Sequence, residues 1–200
     1  MAGRGRRNYN WLILLIILIV IGCIIGGIIS FVKGDKEINE EIISEQAAVS
    51  VVQQMILKDF EGNYPPTPKE VVRYHAELTK VLYNESYTEE EFVQLALKAL
   101  ILYDTQFATH KDEADYLADL KQEIVTYHNN QWSIDSYVLS NSEDVDYITR
   151  DGLDMAQLFC KYKIKKNTGS SSINQSILLR KNEEGQYKIM GWKLALDEEP

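Results

Sequence analysis

The sequence predicts an α+β domain behind a single membrane-spanning helix, and three observations carry that prediction. Residues 11–32, WLILLIILIVIGCIIGGIISFV, hold no charge and almost no polar group. Between residues 68 and 129 apolar side chains recur every three or four positions, the period of a helix buried on one face. After Asn129-Asn130 the period falls to two, the period of a half-buried strand.

The first ten residues form a basic tail with Arg4, Arg6 and Arg7 and no acid. The apolar run that follows, Trp11 to Val32, would cover about 33 Å as a helix, enough for a hydrocarbon core of about 30 Å. Three Arg and the amino terminus on one side outnumber Lys33 and Lys36 on the other. The N-terminus is therefore expected in the cytoplasm and residues 33–200 outside the plasma membrane. Trp11 and Tyr9 suit the inner headgroup level. Val20-Ile21-Gly22-Cys23 also has the order of a lipoprotein cleavage site, with Cys23 as the lipid acceptor. Cleavage there would leave Ile24 to Val32 apolar or small, so an uncleaved helix is the better reading. Gly22, Gly26 and Ser30, spaced by four, give one small-residue face through which two such helices could pair as a homodimer.

Residues 33–60 are acidic, with Ile38, Ile42, Val49, Val52 and Ile56 at helical spacing, and predict an amphipathic helix or stalk. Gly62-Asn63 and Pro65-Pro66 end it. The domain proper is expected over 61–197. Thr67-Pro68-Lys69-Glu70 is a capping box with proline at the first helical position, opening a helix from 68 to about 83. Thr88-Glu89-Glu90-Glu91 repeats the device, with Tyr87 and Phe92 as a hydrophobic staple, for a helix over 89–106. A third is expected over about 112–129. Four antiparallel strands follow: SIDSYVLSN, MAQLFCKYKIK, INQSILLRK and QYKIMGWKLAL. In a regular last strand Tyr187 and Ile189 would face away from Trp192 and Leu194. A bulge at Gly191 would bring all four to one face.

The charge balance bounds the partners. From residue 33 onward 30 acidic residues face 18 basic ones, a balance of −12. Such a domain is a poor candidate for nucleic acid, whose phosphates call for clustered Lys and Arg. No nucleotide loop, dinucleotide fingerprint, zinc pattern or serine-nucleophile motif is present, so no cofactor, metal or catalytic residue is assigned. Cys23 and Cys160 lie too far apart in the layout to pair, and Cys160 reads as a buried, inert thiol. Among the histidines, His110 falls in a turn and His128 at a helix C-terminus, where the dipole favours a cation.

The run NYPPTPKEVVRYHAELTKVLYNESYTEEEF and the ending LRKNEEGQYKIMGW resemble an uncharacterised domain family of small membrane-anchored proteins from Clostridia-type bacteria. The resemblance covers roughly residues 58–194. More loosely, three helices ahead of such a sheet resemble the nuclear transport factor 2-like, or cystatin-like, α+β cone, which implies a sheet wrapped on a long helix and able to enclose a pocket. In such a cone His75 with Tyr162 or Trp192 would be polar groups on the wall, the candidate binding residues. The plainer alternative is that they are ordinary partly buried or surface residues.

The resulting expectation is a single-pass membrane protein whose extracytoplasmic domain binds a protein, envelope material or a small molecule. The alternatives are an enzyme built on the cone pocket and a structural envelope protein that self-associates through its membrane helix.

Overall fold

The computed structural model describes residues 49–60, 62–108 and 112–195, all within one compact unit, Val49–Pro200. Among the described residues no helix is long and apolar enough to cross a membrane. The predicted spanning segment, with Trp11, Gly22, Cys23, Gly26, Ser30 and Val32, lies outside them, as does His110.

The domain is α+β. Helices α1 (Val51–Leu57), α2 (Pro68–Asn84), α3 (Glu89–Leu102), the single turn α4 (Thr105–Ala108) and α5 (Glu113–Asn129) precede five antiparallel strands. These are β1 (Ser133–Leu139), β2 (Asp146–Arg150), β3 (Leu153–Lys166), β4 (Gly169–Lys181) and β5 (Tyr187–Leu194). The sheet runs β1-β3-β4-β5, and β2 pairs with the other half of β3 along the edge that β1 occupies. Ala156, Leu158, Cys160, Tyr162 and Ile164 alternate inward along β3, beside Ile177 and Leu179 of β4. All seven are at most 4% exposed, so one face of the sheet is core.

That face is covered mainly by α2, which touches β1, β3 and β5 as well as α3 and α5. Val71, Val72, Ala76, Leu78 and Leu82 of α2 are buried against it. The helix starts where its sequence says. Thr67 Oγ1 accepts from the Glu70 amide at 3.3 Å, satisfying one of the first-turn donors that have no intrahelical partner. The return half of this capping box differs from expectation, because Glu70 Oε2 accepts from the Thr67 hydroxyl instead of its amide. At α3 both halves form: Glu91 N donates to Thr88 Oγ1 and Thr88 N to Glu91 Oε2. Tyr87 and Phe92 stack beside it with centroids 6.1 Å apart. At the far end of α2, Asn84 clamps β1 through two bonds of 2.8 Å, donating to Ile134 O and accepting from Ile134 N.

Two expectations about the elements need correction. The sheet has five strands rather than four. The extra strand β2, DYITR, is exposed at every residue and is held by backbone pairing, so it carries no apolar alternation to read. The helix expected over 89–106 stops at Leu102. Tyr103 is extended there (φ −87, ψ 148) and bridges to Ile189 at the edge of β5, and Asp104 then opens α4. The amphipathic segment over 33–60 enters the described residues as the short α1, whose Val52 and Met55 join the core. His128 sits in the last turn of α5, as expected, and its Nε2, 2.9 Å from Tyr83 O, also ties α5 to α2.

Candidate functional site

The bulge in β5 shapes the site. Leu178 pairs with Gly191 and the adjacent Leu179 pairs with Ile189, so Met190 is the inserted residue. Gly191 has φ +154, a region side chains rarely adopt. The insertion shifts the alternation by one, and Trp192 comes to the inner face with Tyr187 and Ile189, as the sequence predicted, whereas Leu194, the fourth residue expected with them, is 63% exposed. There its ring centroid lies 5.7 Å from that of His75 on α2 and 6.1 Å from that of Tyr103. Deleting Met190 should turn Trp192 to the outer face. The measurable outcome is loss of the nuclear Overhauser contact between the His75 and Trp192 rings.

These residues line a cavity of about 260 Å³ between α2, the end of α3, α5 and the inner face of the sheet. This lies just below the usual range for small-molecule sites, about 300–1,000 Å³. His75, Tyr162 and Trp192, the three candidates read from the sequence, all lie on its wall. Leu78, Leu82, Ala99, Ile134 and Ile164 supply apolar lining. Ile173 and Trp192, 38% and 42% exposed, and the exposed Asp119 and Glu123 mark the side that opens to solvent.

Inside, polar groups are few and incompletely used. His75 is 6% exposed, and its Nε2 hydrogen-bonds Tyr103 Oη at 3.0 Å. Burial lowers its pKa to about 4, since an imidazolium there would lose its hydration. Three buried polar atoms of the wall, His75 Nδ1, Tyr127 Oη and Tyr162 Oη, have no hydrogen-bond partner within 3.5 Å in the protein. Thr79 and Cys160 are the polar neighbours of Tyr162, and burial first of all raises its phenol well above the ordinary value. Burial, with Glu123 next to it, raises Tyr83 in the same way. Cys160, buried beneath, is pushed up to about 12, mainly by desolvation, which keeps it an unreactive thiol as expected.

An unpaired buried hydroxyl costs about 1–3 kcal/mol. Tyr162→Phe should therefore leave the midpoint of thermal unfolding of the free domain unchanged or raise it. Tyr64→Phe, which removes a bond of 2.7 Å to Tyr187 O, should lower it.

Sequence reasoning missed Tyr103 and most of the contribution of α5. Tyr116, Asp119, Glu123 and Tyr127 recur every three or four residues on that helix, and all line the cavity. The stripe is legible once the two acids are allowed within it, although acids on a helix ordinarily mark its solvated face.

An α+β domain with helices over one face of an antiparallel sheet, and a partly open, aromatic-lined cavity between them, defines the class of protein. The chain belongs to the family described as a domain of unknown function (DUF6715), whose model matches residues 1–192. A solved structure from Catenulispora acidiphila is similar at 11% identity and a TM-score of 0.37, over 63% of this chain and 88% of that one. A search of curated proteins found no match.

Proposed function

We propose that this is a single-pass membrane protein whose external α+β domain binds a small, largely apolar molecule in the cavity beside His75. The observation that carries the binding reading is that cavity, with three buried polar atoms on its wall left unpaired by the protein. Buried polar groups are nearly always satisfied, and a ligand offering complementary groups would satisfy these. The anchor and its orientation rest on the apolar run 11–32 and the Arg residues before it.

Binding is favoured over chemistry by the state of His75. A general base works best with a pKa near the working pH, and a group at about 4 is a weak one. Self-association through Gly22, Gly26 and Ser30 is compatible with either reading.

Two experiments test the proposal. Protease added to intact protoplasts should digest residues 33–200, and a fully protected domain would refute the orientation. Neopentylbenzene, a neutral probe with an aromatic ring and a compact alkyl group, should raise the midpoint of thermal unfolding of the full chain. At one hundred times its dissociation constant the stabilisation is about 2.7 kcal/mol, a shift of about 5–11 °C for a chain this long. An unchanged midpoint at the solubility limit would remove the binding reading.

A further inference from the structure

Among the described residues, strand β2 leaves one edge of the sheet open. Its five residues are exposed at every position, and its only pairing is with β3. An open edge is a row of unpaired backbone donors and acceptors, a template for another strand. Such edges are commonly guarded by lysine, proline or a bulge. DYITR has neither lysine nor proline, and its register against β3 is unbroken.

The turn after β2 fixes which backbone groups face outward. Asp151 and Gly152 both have positive φ, +53 and +77, the mark of a two-residue hairpin turn. Arg150 and Leu153 close it as a hydrogen-bonded pair, and alternation makes Ile148 and then Asp146 the next such positions on β2. The N–H and C=O of Tyr147 and Thr149 therefore point away from β3, to the open edge. Side chains alternate as well. Ala156, opposite Tyr147, lies on the buried face of the sheet, so Asp146, Ile148 and Arg150 share the outer face. Ile148 is 41% exposed. Neither Asp146 nor Arg150 makes an ion pair with a described residue, and the nearby Asp154 accepts from the Thr149 hydroxyl at 3.1 Å.

We propose that β2 pairs antiparallel with β2 of a second copy of this chain, joining the two sheets edge to edge. The strand is complementary to itself in that arrangement. With Ile148 opposite the partner's Ile148, Asp146 of each copy faces Arg150 of the other, and Tyr147 faces Thr149. The outward groups of Tyr147 and Thr149 then meet as hydrogen-bonded pairs. Asp146, Ile148 and Arg150 meet as the non-hydrogen-bonded pairs, whose side chains lie closer. Apolar pairs and opposite charges facing each other across strands are stabilising, and like charges are not. A slip by one residue would set outward backbone groups against inward ones. A slip by two would keep the hydrogen bonding and lose both Asp–Arg pairs. The contact is the same patch on both copies, so it closes at a dimer. It is small, and the membrane anchor proposed above would favour it by raising the effective concentration of one domain near another. The cavity takes no part, so this pairing stands or falls apart from the ligand reading.

The test measures self-association of the full chain in nonionic detergent, by energy transfer between labelled copies. Asp146→Arg sets like charges opposite each other in the dimer, and so does Arg150→Asp. Both side chains are exposed, so the fold should tolerate either change. Each variant alone should associate about tenfold more weakly than the native chain. An equimolar mixture of the two should recover the native affinity, because every facing pair then joins an acid to a base. A second readout fixes the register. In a Cys23→Ala background, with Cys160 buried, Ile148→Cys should oxidise to a linked dimer faster than Tyr147→Cys. Position 148 faces itself with about 4.5 Å between Cα atoms, within reach of a disulfide, whereas position 147 faces 149. Four results would each overturn edge pairing: no self-association, a dimer whose affinity ignores both charge changes, a mixture no tighter than either variant alone, or equal linking at 147 and 148.

Discussion

Asp104→Ala should destabilise the domain by about 3–5 kcal/mol, the range found when one partner of a buried ion pair is removed. The Asp104 side chain is 4% exposed and that of Arg180 17%, so the guanidinium left behind would be a largely desolvated, unpaired charge. The geometry is a two-bond fork, with Arg180 Nη2 donating to Oδ1 at 2.6 Å and Nε to Oδ2 at 3.0 Å. Oδ1 also accepts from the Gln106 amide at 2.9 Å, and the Asp104 amide donates to Ile189 O at 2.8 Å. One residue therefore ends α3, opens α4 and fixes both to β4 and β5. Chemical denaturation should show the loss directly. Arg180→Met, combined with Asp104→Leu, should recover much of it, because an apolar pair needs no charge compensation. A single alanine variant within about 1 kcal/mol of the native protein would contradict this role, since that is the range of an exposed ion pair.

Acid should unfold the domain through His75. Its folded-state pKa of about 4 lies below the ordinary 6.5, so the unfolded chain binds more protons between those values. Stability is then lost as pH falls through that window, is nearly flat above about 6.5, and gains no further loss from this group well below 4. The difference amounts to about 3 kcal/mol between pH 7 and pH 4. Carboxylates titrate in the lower part of the same range, so the informative quantity is the difference from His75→Phe. That variant should keep an apolar ring against Tyr103 and Trp192 and lack the His75 component, giving a shallower dependence of unfolding free energy on pH. Identical pH profiles for the two proteins would show that the imidazole is accessible to protons in the folded state.

The order of elements was legible in the sequence because it is written in local signals. Thr67, Thr88 and the prolines punctuate the helices, and the alternation from Ala156 to Ile164 marks the central strand. The bulge at Gly191 was legible for a related reason: only an inserted residue reconciles the apolar pattern on its two sides. What stayed hidden depends on contacts across the chain. Tyr103 and Asp104 look like the end of a helical pattern until β4 and β5, more than seventy residues later, offer Arg180 and Ile189 as partners. Strand β2 has no buried alternation to read because every one of its residues is exposed. For the site, His75, Tyr162 and Trp192 stood out as polar or amphipathic groups at inward positions. Asp119 and Glu123 did not, because an acid on a helix gives the same sequence signal at a cavity mouth as on an open surface.

The central claim is that the space beside His75 and Trp192 is a binding site. The most direct measurement follows the Trp192 indole and His75 imidazole resonances of the isotope-labelled full chain during titration with neopentylbenzene. The same titration is run on Ile173→Trp, which adds bulk at the exposed side of the cavity. The account predicts saturable shifts at both rings, with one shared dissociation constant, and their loss in the filled variant. Saturable binding that leaves both resonances in place, or that survives Ile173→Trp unchanged, would contradict it.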